Sequence, residues 1–453
     1  MKPRLTIDSL AIGLILFLAA IAGFIIWVGE SAGVGVRVDL PDDGLVGPYQ
    51  AITFKFSEVV SAEMASELIA LDPIHEGYLQ TVDDTSVRFV PLQPFDPEIT
   101  YTVKVIAGET NIKGREVKKP QSWEFRIREP RVAYMVTAGG QSGIWSADRT
   151  GRGAKRLTSE EIKVVSFDAA QGGDFIIFTS VNQNGGIDLW RVSRDGGDES
   201  MLLDCGLDRC TTPVIAPGDT RIAYSREAAG PTPDLPFGSP RIWVVDLESG
   251  ADQAVYEDQS ILGYNPSWSP DGNRLASFDG LADFIHMIDF TSGELVLFPS
   301  TTGGPVAWSP DSTRLLYTTF EQTDNGGRTL VMLADLSTGE TIPLFGSVDV
   351  YDNAYYSLAW SALEERLVLG LRMDEDSPSR VLWVLDPSLL EGIVVAQDAD
   401  YTYNSPQWDP WGTALLFQQF KMRGQFKPEI GLWREGTNQA TVLAEGILPQ
   451  WLP

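Results

Sequence analysis

Between Arg131 and Pro453, short apolar runs alternate with polar, turn-forming clusters in one repeating order. A turn-flanked stretch such as Trp268–Gly272 (WSPDG) leads into a first apolar run, Arg274–Phe278 (RLASF). A second run follows and ends near an Asp-x-x-x-Gly turn, as in Ile242–Gly250, Ile285–Gly293 and Leu330–Gly339; Leu382–Leu389 is a related run. The first runs recur at Val132–Val136, Phe175–Thr179, Arg221–Ser225, Arg274–Phe278, Arg314–Thr318, Arg366–Gly370 and Ala414–Gln418. The residue opening each unit is read at Phe167, Ile215, Trp268, Trp308, Trp360, Trp408 and Trp451. Short strands separated by Gly, Pro, Asn and Asp clusters predict an all-β architecture of stacked, repeated units.

Seven units over residues 131–453 give about 46 residues each, within the ~40–50 of a four-stranded propeller blade. The pattern therefore predicts a seven-bladed β-propeller, with six or eight blades as alternatives. The first unit lacks its WSP-like strand, and Ile447–Pro453 (ILPQWLP) supplies one. Pairing that segment with Val132–Val136 would close the ring and remove an exposed sheet edge.

The motifs Trp268–Gly272 and Trp308–Asp311 (WSPD), together with the Asp-x-x-x-Gly turns, resemble the WD40-like repeats of the TolB-type β-propeller family. The resemblance covers about 70% of the chain and implies blade architecture; fold alone does not set function. The chain departs from that family in the count of seven units where six are usual, and in lacking an α/β domain before the propeller. The lipoprotein partner of TolB is not carried over for that reason.

Upstream, Val36–Arg128 reads as one β-sandwich. Ile52, Phe54 and Phe56 alternate along Ala51–Phe56, and Ser86–Val90, Tyr101–Val105 and Trp123–Ile127 supply further strands. The strings Ile52–Val60, Phe89–Pro91, Thr100–Val105 and Trp123–Phe125 resemble bacterial Ig-like domains of surface and S-layer proteins, which implies a spacer or adhesive module. Residues 29–35 form a small-residue linker. Leu10–Val28 carries no charge, long enough for a helix to cross a bilayer, and Lys2 and Arg4 precede it. The positive-inside rule then leaves residues 1–9 in the cytoplasm and exports the rest. The alternative is a cleaved signal peptide with Ala20-Ile21-Ala22 as its small-x-small site, giving a secreted chain.

Composition narrows the partners. The net charge of −28 repels phosphate backbones and argues against nucleic acid. Cys205 and Cys210 are the only cysteines, spaced for a loop-closing disulfide outside the cytoplasm. No metal site or cofactor is expected. Of the two histidines, His75 falls in the Asp72–Gly77 turn and His286 inside an apolar strand, neither with a Ser or Cys partner at a recognisable spacing. No Gly-x-Ser-x-Gly elbow is present. Asp246, Asp289, Asp335 and Asp386 recur at one repeat position, which points to turn hydrogen bonding rather than catalysis.

Loop lengths direct attention to one face. Long connections are expected at Cys205–Thr212, Arg226–Pro240, Phe320–Arg328, Val348–Tyr356, Arg372–Arg380, Ala399–Ser405 and Gln419–Glu429. Candidate partner-binding residues on them are Tyr351, Asp352, Tyr355, Tyr356, Asp374, Glu375, Asp376, Tyr401, Tyr403, Arg423 and Phe426. Tyrosine is an amphipathic anchor of low entropic cost, and loops on a rigid scaffold carry function. The expected role is non-catalytic binding or scaffolding at a bacterial envelope, with a protein or glycan partner. The alternative is a carbohydrate-active or other enzyme at the axial mouth.

Overall fold

The computed structural model describes residues 14–21 and 33–453, apart from 111–115, 233, 324–325, 346–356, 364, 373–378 and 425–426. Residues 14–21 are helical with exposed apolar side chains, and the remainder of Leu10–Val28 lies outside the described residues. No helix among the described residues is long and apolar enough to cross a membrane. The chain divides into two compact units, the second of which takes in Gly47–Gln50 and Leu92–Pro97 along with Ile127–Pro453.

The first unit is built on two four-stranded sheets. One orders Val36–Asp39, Ile52–Phe56, Ser86–Pro91 and Gly77–Asp83; the other orders Leu45–Val46, Gln121–Ile127, Tyr101–Val105 and Ile69–Asp72. The period-2 alternation has its expected result: Ile52, Phe54, Val87, Val103, Val105 and Phe125 are almost fully buried. Each such side chain contributes roughly 1.5–3 kcal/mol through burial. The helix Ala62–Leu68 is absent from the sequence reading, as are the strands Val36–Asp39, Leu45–Val46, Ile69–Asp72 and Gly77–Asp83. Ser61 caps the helix, its hydroxyl accepting from the Met64 N–H at 3.2 Å, and Ala65 and Leu68 face inward. His75 lies against the edge of Tyr101, ring centroids 5.7 Å apart.

The second unit repeats an antiparallel meander. Four-stranded sheets begin at Tyr264, Ala307, Leu358 and Tyr401. An eight-stranded sheet consists of two such meanders, Val164–Leu203 and Arg209–Ala254, joined by a single parallel contact of Ile187 with Arg209. In the remaining sheet, Ile447–Leu452 pairs antiparallel with Arg131–Ala138, bringing Arg131 opposite Leu452 and Val132 opposite Trp451. The core is distributed between the sheets. Ala307 and Leu316 pack with Trp360 and Leu367 of the next sheet. Leu382 and Val384 likewise pack with Trp408 and Leu415. Ala414 and Leu432, from the last complete meander, pack with Val132, Tyr134 and Trp451 of the first sheet.

Two expected loops are strands instead. Residues 320–328 belong to a hairpin whose strands Arg314–Thr323 and Gly326–Asp335 stay paired out to Thr323 opposite Gly326. Most of Ala399–Ser405 lies in the strand Tyr401–Trp408, where Tyr401, Thr402 and Tyr403 pair with Lys421, Phe420 and Gln419. β-branched and aromatic residues favour the ladder over the loop that neighbouring Asp and Asn residues suggest.

Candidate functional site

The acidic turns are stitched by side chain to backbone. Asp289 Oδ1 accepts from Thr291 N at 2.8 Å, Ser292 N at 3.1 Å and the Thr291 hydroxyl. Asp246 and Asp335 repeat the arrangement with Ser249 and Ser337, and Asp386 accepts from Ser388 N and Leu389 N. The Thr291 hydroxyl foremost, then the turn N–H groups and Arg274, hold the Asp289 carboxyl down at about 2. In the WSPDG turn the Ser269 hydroxyl donates to Asp271 at 2.5 Å and accepts from Arg274 N at 2.9 Å; Ser309, Asp311 and Arg314 do the same. These aspartates shape turns.

Of the residues expected on the binding face, Tyr351, Asp352, Tyr355, Tyr356, Asp374, Glu375, Asp376 and Phe426 lie outside the described residues. Arg423 is exposed in the turn after Ala414–Lys421. Tyr401 is half-buried, with Lys421 Nζ 5.7 Å from its ring centroid. Tyr403 is a core side chain, 5% exposed and edge-on to Phe417 at 5.7 Å. Burial, then the nearby Asp398, pushes its hydroxyl up to about 12. Tyr403 points inward because the strand alternates where a loop was expected.

Cys205 and Cys210 are joined by a disulfide. Within the loop they close, Asp208 binds Arg226 at 2.8 Å and accepts from Ala229 N at 2.8 Å. His286 is buried, its Nε2 3.7 Å from Asp279; burial pushes it down and Asp279 partly offsets that. No group of His, Cys, Asp or Glu among the described residues could hold a metal ion.

The least legible site lies along the axis. Most of the innermost strands adjoin their neighbours, and pairing with the second strand of each meander aligns them. Ile215, Trp268, Trp308, Trp360 and Trp408 sit opposite Ile222, Leu275, Leu315, Leu367 and Leu415, and Trp451 sits opposite Val132. In the second meander the residue at this place, opposite Ile176, is Ala169 and not Phe167, which stands two residues earlier. A tetrapeptide, x-Pro-x-Trp, underlies three of these strands: Asn265–Trp268, Ser405–Trp408 and Leu448–Trp451. In them, and at Thr212-Pro213, the residue before Pro has φ near +50°. The ladder slips there by a bulge. Proline has no N–H to donate, so a bulged innermost strand tolerates it. The bulge residue costs of order 1–3 kcal/mol and is fixed by the ladders around it.

One residue before the Trp position stand Asp168, Val214, Ser267, Ala307, Ala359, Gln407 and Gln450. A cavity of about 210 Å³ opens among Pro305, Ser357, Leu358, Ser405, Pro406, Gln407, Leu448, Pro449 and Gln450, none of them ionisable. The Ser357 hydroxyl is buried there with no hydrogen-bond partner among the described residues. Asp168 is the ionisable member of the series. Its Oδ2 accepts from Ile215 N at 2.7 Å, and burial pushes its carboxyl up to about 7 even though part of the side chain remains open. On the neighbouring turn Asp219 accepts from Gln171 N at 3.0 Å and Gly172 N at 2.9 Å, and burial raises it to about 6.

No protein-family model matches the sequence. Among solved structures, a puromycin-hydrolysing peptidase of Mycobacterium tuberculosis is similar, with TM-score 0.50, 13% identity, 71% of this chain and 54% of that chain covered. This chain thus spans about half of that peptidase. TolB from Acinetobacter baumannii is matched with TM-score 0.42 and 15% identity over 71% of this chain and 82% of that one. The β-propeller domain of the trilobed protease of Pyrococcus furiosus gives TM-score 0.47 and 14% identity over 63% and 86%. At such identities the shared property is the fold: the second unit is a β-propeller, similar to those of TolB-type and peptidase proteins.

Proposed function

We propose that this chain is an exported, membrane-anchored binding or scaffolding protein, with an Ig-like stalk and a seven-bladed propeller head. The observation that carries this reading is the lining of the axial cavity, where serine, glutamine, proline and leucine side chains offer hydrogen bonds and apolar walls, with no ionisable side chain in the lining to activate a serine or ligate a metal. Glycoside hydrolysis needs a pair of carboxylates across the scissile bond, and this lining has none. The count of seven blades is supported by seven core clusters, each joining one meander to the next and the last to the first. Export is supported by the uncharged run Leu10–Val28 and by the bonded cysteines, which persist in oxidising compartments. The partner on this reading is an envelope protein or glycan, met on the long-loop face and at the axial opening.

The test is retention of envelope components on the immobilised full chain in mild detergent, alongside a screen of envelope glycans for turnover. Specific, saturable retention without turnover is expected. Glycan cleavage by the purified chain, abolished by Asp168→Asn, would replace binding with catalysis.

A further inference from the structure

Three residues before the Trp position stand Ser166, Asn265, Ser357 and Ser405, each in a different meander. The first two are engaged. The Ser166 hydroxyl lies 2.8 Å from that of Thr179 and accepts from Thr212 N at 3.1 Å, and Asn265 Nδ2 donates to Gly303 O at 3.2 Å. Ser357 and Ser405 instead line the cavity of about 210 Å³. Ser357 is 1% exposed, and its hydroxyl has no hydrogen-bond partner among the described residues. Ser405 and Gln407 line the same cavity, and their side chains make no hydrogen bond among the described residues. Gln450 differs, since Ala169 N and Phe167 O already take both ends of its amide. The other walls are apolar: Pro305, Pro406 and Pro449 bring rings without an N–H, and Leu358 is buried beside them. A buried hydroxyl left without a partner carries a desolvation cost that a bonded ligand relieves.

We propose that this cavity is a subsite for the side-chain carboxamide of a glutamine or asparagine presented by a protein partner. This rests on the binding reading above. A carboxamide carries two N–H donors and an acceptor oxygen on one planar head. The Ser357 hydroxyl supplies a donor for that oxygen, and Ser405 and Gln407 supply acceptors for the N–H groups. The short methylene stem meets the proline and leucine walls. A carboxylate or an ammonium would lose its water with no opposite charge in the lining to replace it. An apolar side chain of the same length would leave the Ser357 hydroxyl stranded. The volume lies below the ~300–1,000 Å³ of sites that enclose a whole small-molecule ligand, which suits one side chain better than a sugar chain.

The experiment titrates the full chain in mild detergent with capped tripeptides, acetyl-Ala-X-Ala-methylamide, where X is glutamine, asparagine, glutamate or norvaline, and with N-acetylglucosamine for a glycan source. At pH 7 the tighter of the two carboxamide peptides should bind at least tenfold more tightly than the glutamate peptide, the norvaline peptide and the sugar. Ser357→Ala removes a hydroxyl without a partner, so its melting temperature should be equal or higher while carboxamide binding falls at least tenfold. Gln407→Leu, at an exposed position, should also weaken carboxamide binding and leave the norvaline peptide unaffected. Equal binding of the four peptides, tighter binding of the sugar, or undiminished carboxamide binding by Ser357→Ala overturns the proposal. Should Ser357→Ala fail to fold, Gln407→Leu decides, and unchanged carboxamide binding there overturns it. Partner retention without any carboxamide preference also overturns it and leaves the binding reading standing; carboxamide binding without partner retention does the reverse.

Discussion

The seams between the later meanders and the seam that follows the closing strand are held by different chemistry. In the former, an indole is shared. Trp268 Nε1 donates to Val214 O at 3.2 Å, and Trp308 Nε1 to the Ser267 hydroxyl at 3.2 Å. An arginine of the preceding meander completes the joint: Arg221 lies 4.7 Å from the Trp268 ring and donates to Gly272 O at 2.6 Å. Arg366 repeats this toward Trp408 and Gly412 O. Where Ala169 stands in place of Trp, no indole is available. The last strand supplies polar groups instead, Gln450 binding Ala169 N and Phe167 O, and Arg194 and Arg128 hold the carbonyls of Leu452 and Pro453. A large apolar side chain can therefore be replaced in a seam by several directed hydrogen bonds. The difference in how each fails is open to measurement.

The largest break comes from deleting residues 447–453. It removes Trp451 and Leu452 from two core clusters and leaves Arg131–Ala138 with an open edge. Most of an ordinary stability margin of ~5–15 kcal/mol should be lost in denaturant melts. An unchanged midpoint would mean the closing strand contributes nothing.

Next is Trp308→Ala, expected to cost about 3–5 kcal/mol through the cavity it leaves among Ala276, Leu315 and Tyr317. Gln450→Ala should cost less, about 1–3 kcal/mol, from the stranded N–H of Ala169 and C=O of Phe167. If the glutamine variant proves the more damaging, the polar seam is the stronger one and the comparison reverses.

The smallest effect is a pH slope of opposite sign at two sets of aspartates. Asp289 is held below its unfolded value, so its contribution is present above pH 4 and fades as pH falls toward 2. Asp168 and Asp219 are held above theirs, so theirs is present below pH 4 and fades as pH rises through about 6 to 7. Melting temperatures between pH 2 and 8 should show a shallower acid limb alone for Asp289→Asn, Asp246 and Asp335 keeping the rest, and a shallower neutral limb alone for Asp168→Asn, Asp219 keeping the rest. One slope lost in both variants would refute separate origins.

The blades were legible because their turns need particular chemistry. WSPDG and Asp-x-x-x-Gly are written in residues that hydrogen-bond their own backbone, and the structure uses them that way. Ala169 was not legible, since alanine carries no signal and the nearby Phe167 has the look of the missing aromatic. The helix Ala62–Leu68 is two turns long, too short for its periodicity to stand out against strands. Asp168 and Gln450 escaped because the positions that bridge to the next meander repeat in place and not in residue type. The x-Pro-x-Trp tetrapeptide was a readable signal for the innermost strands, and it would have located those positions. Tyr403 misled because an alternating Tyr-x-Tyr reads equally as loop or strand until its partner strand is known.

The pairing of Arg131–Ala138 with Ile447–Leu452 also governs time. Its partners stand roughly 320 residues apart, so the contact closes a loop spanning the whole propeller. Closure entropy grows only as the logarithm of loop length, about 0.6 kcal/mol per doubling, and the intervening meanders shorten the search by folding as local hairpins. Non-local pairing nevertheless sets the pace for β-topologies. The first sheet is then expected to complete last, with its backbone amides the last to gain protection in pulsed hydrogen exchange.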